Sequence, residues 1–293
     1  MKVLLLGANG YIGRAFLHSK APEGLTLVPV DRTRVDYFNQ ATLRQLIQLE
    51  GAKAVLNCSG YTGKPNVDEC EKNQDLCFRL NVLWPEQLSQ IAASCKIQLI
   101  QIGSGCIYKG VPQPKEPERG FKEEDEPNFS FDHPPCSFYS GTKAEMEKRI
   151  RHVPGVSIWR IRMPFTSHWD NRNLLTKLAK YPKILEARNS LTDVAEMIDV
   201  SLRMLVACVP PDIYNLTNPG VVANSEIIKM LLRQRIRTLP AAYFQSLDEI
   251  ANAMQAPRSA CVLDSTKVLK LGFPMRSVQD ALENAISGLK ASL

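Results

Sequence analysis

The chain has 293 residues, 44% hydrophobic and 23% charged, the balance of an ordinary globular protein with room for one large α/β domain or a main domain and a smaller one. Its net charge of +6 is mild. No basic run would track nucleic acid, so a pull on anionic metabolites is the expected consequence. No apolar run approaches the ~20 residues of a membrane span. The eight cysteines form no CxxC pair and no zinc spacing. With the first strand opening at residue 3 and no export signal before it, they are expected to be reduced thiols in a cytoplasmic protein without a metal site.

The opening MKVLLLGANGYIGRAF organises the rest. An apolar run, Val3 to Leu6, breaks into Gly7, Gly10 and Gly13 and resumes through Leu17, which predicts strand, tight turn and helix. Gly7 turns the chain off the strand, Gly10 lets backbone approach a pyrophosphate, and Gly13 lets the helix pack on the strand. The expected dinucleotide contacts here are Gly7, Asn9, Gly10, Tyr11 and Ile12. Leu25 to Val30 predicts a second strand ending at Asp31, an acid placed to hold the ribose hydroxyls of NAD. Arg32 and Arg34 follow, and guanidinium groups there suit the 2′-phosphate of NADP. The two signals conflict; NADPH is the expected coenzyme, with NADH usable.

Leu43 to Leu49 predicts a helix, and Ala54 to Asn57 a strand running into Cys58, Ser59 and Gly60. The polar segment Tyr61 to Asp68, with Lys64 and Asn66, sits at a strand's carboxyl end, where α/β sheets bind ligands; its bland alternative is a solvated loop. Residues 75 to 95 read as helix with a kink or restart at Pro85, and Asn81 lies just before it. Ile97 to Ile102 is a buried-type strand ending in Gly103-Ser104-Gly105-Cys106, so a hydroxyl and a thiol stand two residues apart. Residues 110 to 137 are rich in proline and acids and predict a long surface loop. Helix follows from Thr142 to Ile150, with Tyr139 and Lys143 four apart and therefore on one face. Val156 to Arg162 is a strand, ended by Met163-Pro164. Beyond it lie helices over 173–180, from Thr192 to Met204, over 226–235 and over 277–289, with a short strand at 213–217. The fold expected is a Rossmann-type doubly wound parallel sheet over residues 1–170, with 190–218 returning to it, and a smaller C-terminal cap over most of 171–293.

A tyrosine beside an ammonium, whose phenol pKa of about 10 the charge would lower, can give a proton to a carbonyl oxygen while hydride reaches the carbon. Tyr139 and Lys143 suit that task, with Ser104 bonding the same oxygen. The carbon next to a ketone is acidic, and a thiol and an amine on opposite faces could remove and return its proton. Cys106 and Lys177 are the candidates, against the bland readings of a buried hydrophobe and a solvated lysine.

The stretches TGKPNVDECE, GCIY, GFKEEDEPNF, SFYSGTKAEME, RIRMP, NRNLLTKLAKY, YNLTNPGVV and APRS, spanning residues ~60 to ~260, resemble the extended short-chain dehydrogenases of nucleotide sugars. Within them the chain is most similar to the bifunctional 3,5-epimerase/4-reductases of UDP-rhamnose synthesis. That resemblance implies epimerisation by Cys106 and Lys177, and reduction by Ser104, Tyr139 and Lys143. It places Cys58, Ser59, Gly60, Tyr61, Asn81 and Met163 at the coenzyme, with Asn81 holding helix geometry. It places Lys64, Asn66, Asn173 and Arg258 at the nucleotide sugar, Arg258 on the diphosphate. It implies a separate upstream 4,6-dehydratase as pathway partner, and a monomer or homodimer. The chain departs from the plant members by an extra segment, Phe131 to Cys136, and by Asp31. Two alternatives stay open: a 4-ketoreductase of the dTDP-4-dehydrorhamnose reductase type, and a non-catalytic regulatory subunit on the same fold, like the β subunit of methionine adenosyltransferase.

Overall fold

In the computed structural model, which describes residues 1–292 apart from Arg34, 113–119 and Ser246, six strands form one parallel sheet. They are β1 (Lys2–Leu6), β2 (Thr26–Val30), β3 (Ala54–Asn57), β4 (Gln98–Ser104), β5 (Val156–Ile161) and β6 (Ile213–Asn215), in spatial order β6-β5-β4-β3-β1-β2. The order reverses between β3 and β1, and the crevice beyond the strands' carboxyl ends at such a reversal is where open α/β sheets bind ligands.

The near-continuous apolar strands have the composition of a sheet covered on both faces. Alternate residues of β1 separate accordingly. Val3 and Leu5 join Leu56, Ile100 and Ile102 in a core closed by Phe16 of α1 (Tyr11–Leu17) and by Met197, Ile198 and Leu205 of α8 (Val194–Val206). Leu4 and Leu6 join Val55 and Leu99 on the other face. That core is closed by Leu43 and Ile47 of α2 (Gln40–Glu50), Leu88 and Ile91 of α5 (Trp84–Ser94), and Met146 and Ile150 of α6 (Phe138–Ile150). A third core stands apart, built by α7 (Leu174–Lys180), α9 (Asn224–Arg233) and α12 (Val278–Ala291) around Leu175, Leu178, Ile227, Leu231 and Leu282. Between these helices β6 returns to the sheet beside β5, pairing Ile213 with Ile158.

Local chemistry sets the boundaries. The Ser137 hydroxyl accepts from Ser140 N at 3.0 Å and starts α6, four residues before the Thr142 that sequence periodicity gives. The helix expected over 75–95 is interrupted. After α3 (Asp68–Lys72), α4 (Gln74–Phe78) passes into a π-helical turn, Arg79–Leu83, before α5 restarts at Trp84 with Pro85 in its first turn. Proline has no N–H to give the preceding turn, so the restart falls where proline is tolerated. Helices α3, α10 (Leu247–Ala253) and α11 (Thr266–Lys270) had no counterpart in the sequence reading. Five to seven residues are too few for a period of 3.6 to show.

Candidate active site

The glycine turn stands at the sheet reversal. Gly7 has φ +73°, and a Cβ on it would lie 2.6 Å from Ser59 N across the crevice. A Cβ on Gly13 would lie 2.1 Å from the Gly7 carbonyl oxygen, so helix and turn touch through backbone alone. Gly10 caps α1 without a side chain, leaving the first-turn N–H groups uncapped. Asp31 accepts from Thr33 N at 2.9 Å. The Arg32 guanidinium lies over the Phe38 ring, 5.8 Å from its centroid. Arg34, the other expected phosphate clamp, lies outside the described residues.

Past β3, Asn57 accepts from Ser59 N at 3.1 Å and donates to Gln101 at 2.7 Å, fixing the strand end. Asn81 on the π turn pairs with Tyr61 reciprocally: it accepts from Tyr61 N and donates to the Tyr61 carbonyl, each at 2.8 Å. Its amide also reaches Cys77 Sγ and Thr142 Oγ1, both at 3.3 Å. The π turn thus ties the polar loop to α6. Burial raises the Cys58 thiol pKa.

At the next strand end Ser104, Cys106, Tyr139 and Lys143 come together. Ser104 closes β4, two residues later than predicted, and its hydroxyl accepts from Cys106 N at 3.2 Å. Lys143 is buried, with Nζ donating to the Ile102 carbonyl at 3.4 Å and lying 5.9 Å from the Tyr139 ring centroid. A Cβ on Gly60 would sit 3.9 Å from that Nζ and 3.0 Å from Asn81 Oδ1, so glycine keeps the crevice open there. The expectation that Lys143 lowers the phenol is corrected. Burial, reinforced by Cys106, holds Tyr139 well above its ordinary pKa, and a hydrogen bond from the Ser104 hydroxyl opposes this only in part. Lys143 is itself lowered, because burial penalises its charge. Cys106 is raised by burial against the pull of Ser104 and Arg162.

Lys177 is half-buried on α7 rather than solvated. Burial lowers its pKa, Arg172 and Arg258 act in the same direction, and Asp170 opposes them. The segment carrying Arg258 links this cluster to the strand end. Ser259 donates to the Tyr108 carbonyl and accepts at its own carbonyl from Arg162 at 2.7 Å, while Cys261 Sγ donates to the Gly105 carbonyl at 3.2 Å.

Two of the expected substrate contacts are otherwise engaged. Asn173 is completely buried. Its oxygen accepts from Thr166 N and Leu175 N, and its nitrogen donates to the Thr166 and His168 carbonyls, which fills an amide's four places. It is the cap of α7 and offers nothing to a ligand. Arg258 is paired with Asp68 at 2.8 Å and donates to the Ala256 carbonyl, so a diphosphate there would compete with a carboxylate. Asn66 accepts from Asp68 N, an Asx turn into α3. Lys64 is exposed on the wall of a cavity of about 1040 Å³ whose lining also includes Arg32, Phe38, Gly60, Trp84 and Arg172. This cavity stops short of Ser104 and Tyr139, and Gly60 is the residue common to it and to the Lys143 neighbourhood. Met163, just past β5, has φ +40° where the chain leaves the sheet.

The sequence reading missed Arg162, buried and donating to Asn189 at 2.6 Å. An arginine closing an apolar strand was its only signal. It also missed Arg172, which donates to Thr62 at 2.9 Å across the crevice. Among the described residues no group of three or more His, Cys, Asp or Glu could hold a metal ion, and no helix is long and apolar enough to cross a membrane.

This is the architecture of a Rossmann-type reductase, and the sequence matches the RmlD substrate binding domain over residues 1–291. The chain belongs to that family. It is 38% identical over 231 residues to a bifunctional dTDP-4-dehydrorhamnose 3,5-epimerase/dTDP-4-dehydrorhamnose reductase of Arabidopsis thaliana, covering 78% of this chain and 74% of that one. It is 32% identical over 284 residues to a trifunctional UDP-glucose 4,6-dehydratase/UDP-4-keto-6-deoxy-D-glucose 3,5-epimerase/UDP-4-keto-L-rhamnose-reductase of the same plant. That match takes in 96% of this chain but only 41% of the relative, so the chain spans about two fifths of its length. The crystal structure of the L780 UDP-rhamnose synthase of Acanthamoeba polyphaga mimivirus superposes with a TM-score of 0.88 at 26% identity, covering 98% of this chain and 99% of that one.

Proposed function

We propose that the chain is an NAD(P)H-dependent 3,5-epimerase/4-reductase. It would convert a nucleoside-diphosphate 4-keto-6-deoxy-D-glucose, in its UDP form by preference, to the NDP-L-rhamnose. The observation that carries this is the meeting of a hydroxyl, a thiol, a phenol and an amine at one strand end: Ser104, Cys106, Tyr139 and Lys143. The relatives named for both activities support the same reading. An upstream 4,6-dehydratase supplies the ketosugar, and the plant relative that carries a dehydratase in one chain with the other two activities is consistent with that order.

The crevice fits a dinucleotide. Gly7 and Gly13 are crowded by backbone to the point of excluding a side chain, and the first-turn amides of α1 face the crevice uncapped. Gly7, Asn9, Gly10, Tyr11 and Ile12 would hold the pyrophosphate. Asp31 and Arg32 would hold the adenosine end, and Cys58, Ser59, Gly60, Tyr61, Asn81, Lys143 and Met163 the nicotinamide half. Bound NADPH supplies hydride to C4 of the sugar.

The rest is done by the chain's own groups. Tyr139 protonates the C4 oxygen, and its raised pKa keeps the phenol in the acid form that this step needs. Ser104 orients that oxygen. At C3 and C5, Lys177, lowered toward its neutral amine, takes the proton. Cys106, held as a neutral thiol, returns one from the other face, and exchange with solvent restores the amine and the thiol before the second carbon reacts. Lys64 and Arg172 border the cavity where an anionic nucleotide sugar would be drawn.

The test is to incubate the protein with UDP-4-keto-6-deoxyglucose in D2O, first without coenzyme and then with NADPH, following the sugar by NMR. Deuterium entering C3 and C5 before NADPH is added, and UDP-rhamnose after it, supports both activities. No exchange, with NADPH oxidised only once a separate 3,5-epimerase is added, leaves a 4-ketoreductase; the absence of both exchange and reduction even then refutes the enzyme.

A further inference from the structure

Helix α7, Leu174–Lys180, has seven residues, well under the ~12–15 at which an isolated helix becomes marginal in water. What holds it is therefore tertiary, and the two ends are held by different buried polar side chains. At the start stands Asn173, with its amide fully engaged as described. At the far end stands Arg237, from the loop after α9, itself almost fully buried. Its Nη1 donates to the carbonyls of Leu178 at 2.8 Å, Ala179 at 3.2 Å and Tyr181 at 2.9 Å, and its Nε to the Leu239 carbonyl at 2.7 Å.

Among the described residues Arg237 has no carboxylate partner. Its charge faces the carbonyl end of the helix, where the backbone dipole is negative. Lys177 lies between the two clamps. Its N–H donates to the Asn173 carbonyl at 3.1 Å, its carbonyl accepts from Tyr181 N at 2.8 Å, and the next carbonyl, Leu178, is the nearest acceptor of Arg237 Nη1.

We infer that Arg237 is a positioning residue for Lys177: by pinning the carbonyl end of α7 it fixes the backbone from which the Lys177 side chain departs, and with it the reach of the amine that the epimerase reading assigns to C3 and C5. The inference rests on the epimerase reading of Lys177. Ser104, Tyr139 and Lys143 stand on other elements, β4 and α6, so loss of Arg237 damages proton exchange at C3 and C5 and leaves the reduction machinery in place. A displacement of about 1 Å at a reacting group costs roughly a hundredfold in rate.

The experiment compares wild type with R237A and R237K. Deuterium uptake at C3 and C5 of UDP-4-keto-6-deoxyglucose is read by NMR without coenzyme. NADPH oxidation is then read with and without an excess of a separate 3,5-epimerase. In R237A, exchange should fall roughly 10²-fold, and the added epimerase should bring NADPH oxidation back to within about threefold of wild type. In R237K the ammonium keeps the charge and some of the carbonyl contacts, so the loss of exchange should be smaller. Unchanged exchange in R237A overturns the inference. So does an oxidation rate that added epimerase cannot restore, since Arg237 would then support the whole fold. Should R237A not fold, an unchanged ratio of exchange to reduction in R237K overturns it equally. A wild type that shows no exchange refutes the epimerase reading itself, and does so before any variant is compared.

Discussion

Glu147 accepts two hydrogen bonds on one oxygen from Arg160, at 2.9 Å from Nε and 2.8 Å from Nη2, with both side chains almost entirely buried. The pair joins α6 to β5 one helical turn beyond Lys143. Breaking a buried pair by removing one partner strands a charge, whereas replacing both by apolar groups of similar size is often neutral. E147A should therefore lose about 3–5 kcal/mol of stability, and E147M/R160M should recover most of it. Urea unfolding curves at neutral pH decide this. A double-variant loss equal to the sum of the losses in E147M and R160M alone would show that the two charges do not depend on each other.

Tyr139 is the proposed proton donor to the C4 oxygen. Y139F keeps the ring that packs beside Cys106 and removes only the hydroxyl. Reduction should fall by roughly 10²–10⁴, the usual worth of a positioned acid, while exchange at C3 and C5 falls far less. Equal losses in both half-reactions would mean that the phenol serves binding rather than protonation.

The direction of each pKa shift gives the two half-reactions different pH dependence. The phenol is raised above about 10, so Tyr139 stays protonated from pH 6 to 9 and gives reduction no alkaline fall in that range. The Lys177 amine is lowered below its ordinary value of about 10.4, and the Cys106 thiol is raised above its ordinary 8.5 or so. The neutral-amine fraction therefore grows with pH while the thiol keeps its proton. Deuterium exchange should rise from pH 7 to 9, while reduction, read with an excess of a separate 3,5-epimerase, stays flat. Exchange that falls over that interval would invert the assigned roles of base and acid.

Much of this was legible in the sequence because it depends on short-range patterns. The glycine spacing after Val3–Leu6 can serve only a strand–turn–helix, and the order of Ser104, Tyr139 and Lys143 along the chain survives folding as one site. What stayed hidden depends on partners distant in sequence. Asn173 looked available for a sugar until its four hydrogen-bonding places were counted in space. Arg258 looked free for a diphosphate until Asp68, 190 residues earlier in number, took its guanidinium. The lowering of Tyr139 by Lys143 follows from sequence spacing alone, but burial is a property of the packed core and reverses the sign.

Segment 131–136 rests on α6 at a glycine, where a side chain would displace a ring. A Cβ on Gly141, between Tyr139 and Lys143 on α6, would fall 2.2–2.5 Å from the Phe131 ring. The same segment is tied down by Asp132 on Lys148 at 3.0 Å and by Phe131 against Phe138, centroids 5.3 Å apart. Alanine is the better helix former by about 1 kcal/mol, but in the wild-type background G141A must push the ring away, at a cost of about 1–3 kcal/mol typical of overpacking. G141A alone should therefore destabilise. In an F131A background the ring is gone and the same substitution should stabilise by up to about 1 kcal/mol. Thermal or urea unfolding of the four proteins gives the cycle. If G141A has the same sign in both backgrounds, Phe131 does not rest on α6, and the segment has no mechanical path to the turn that carries Tyr139 and Lys143.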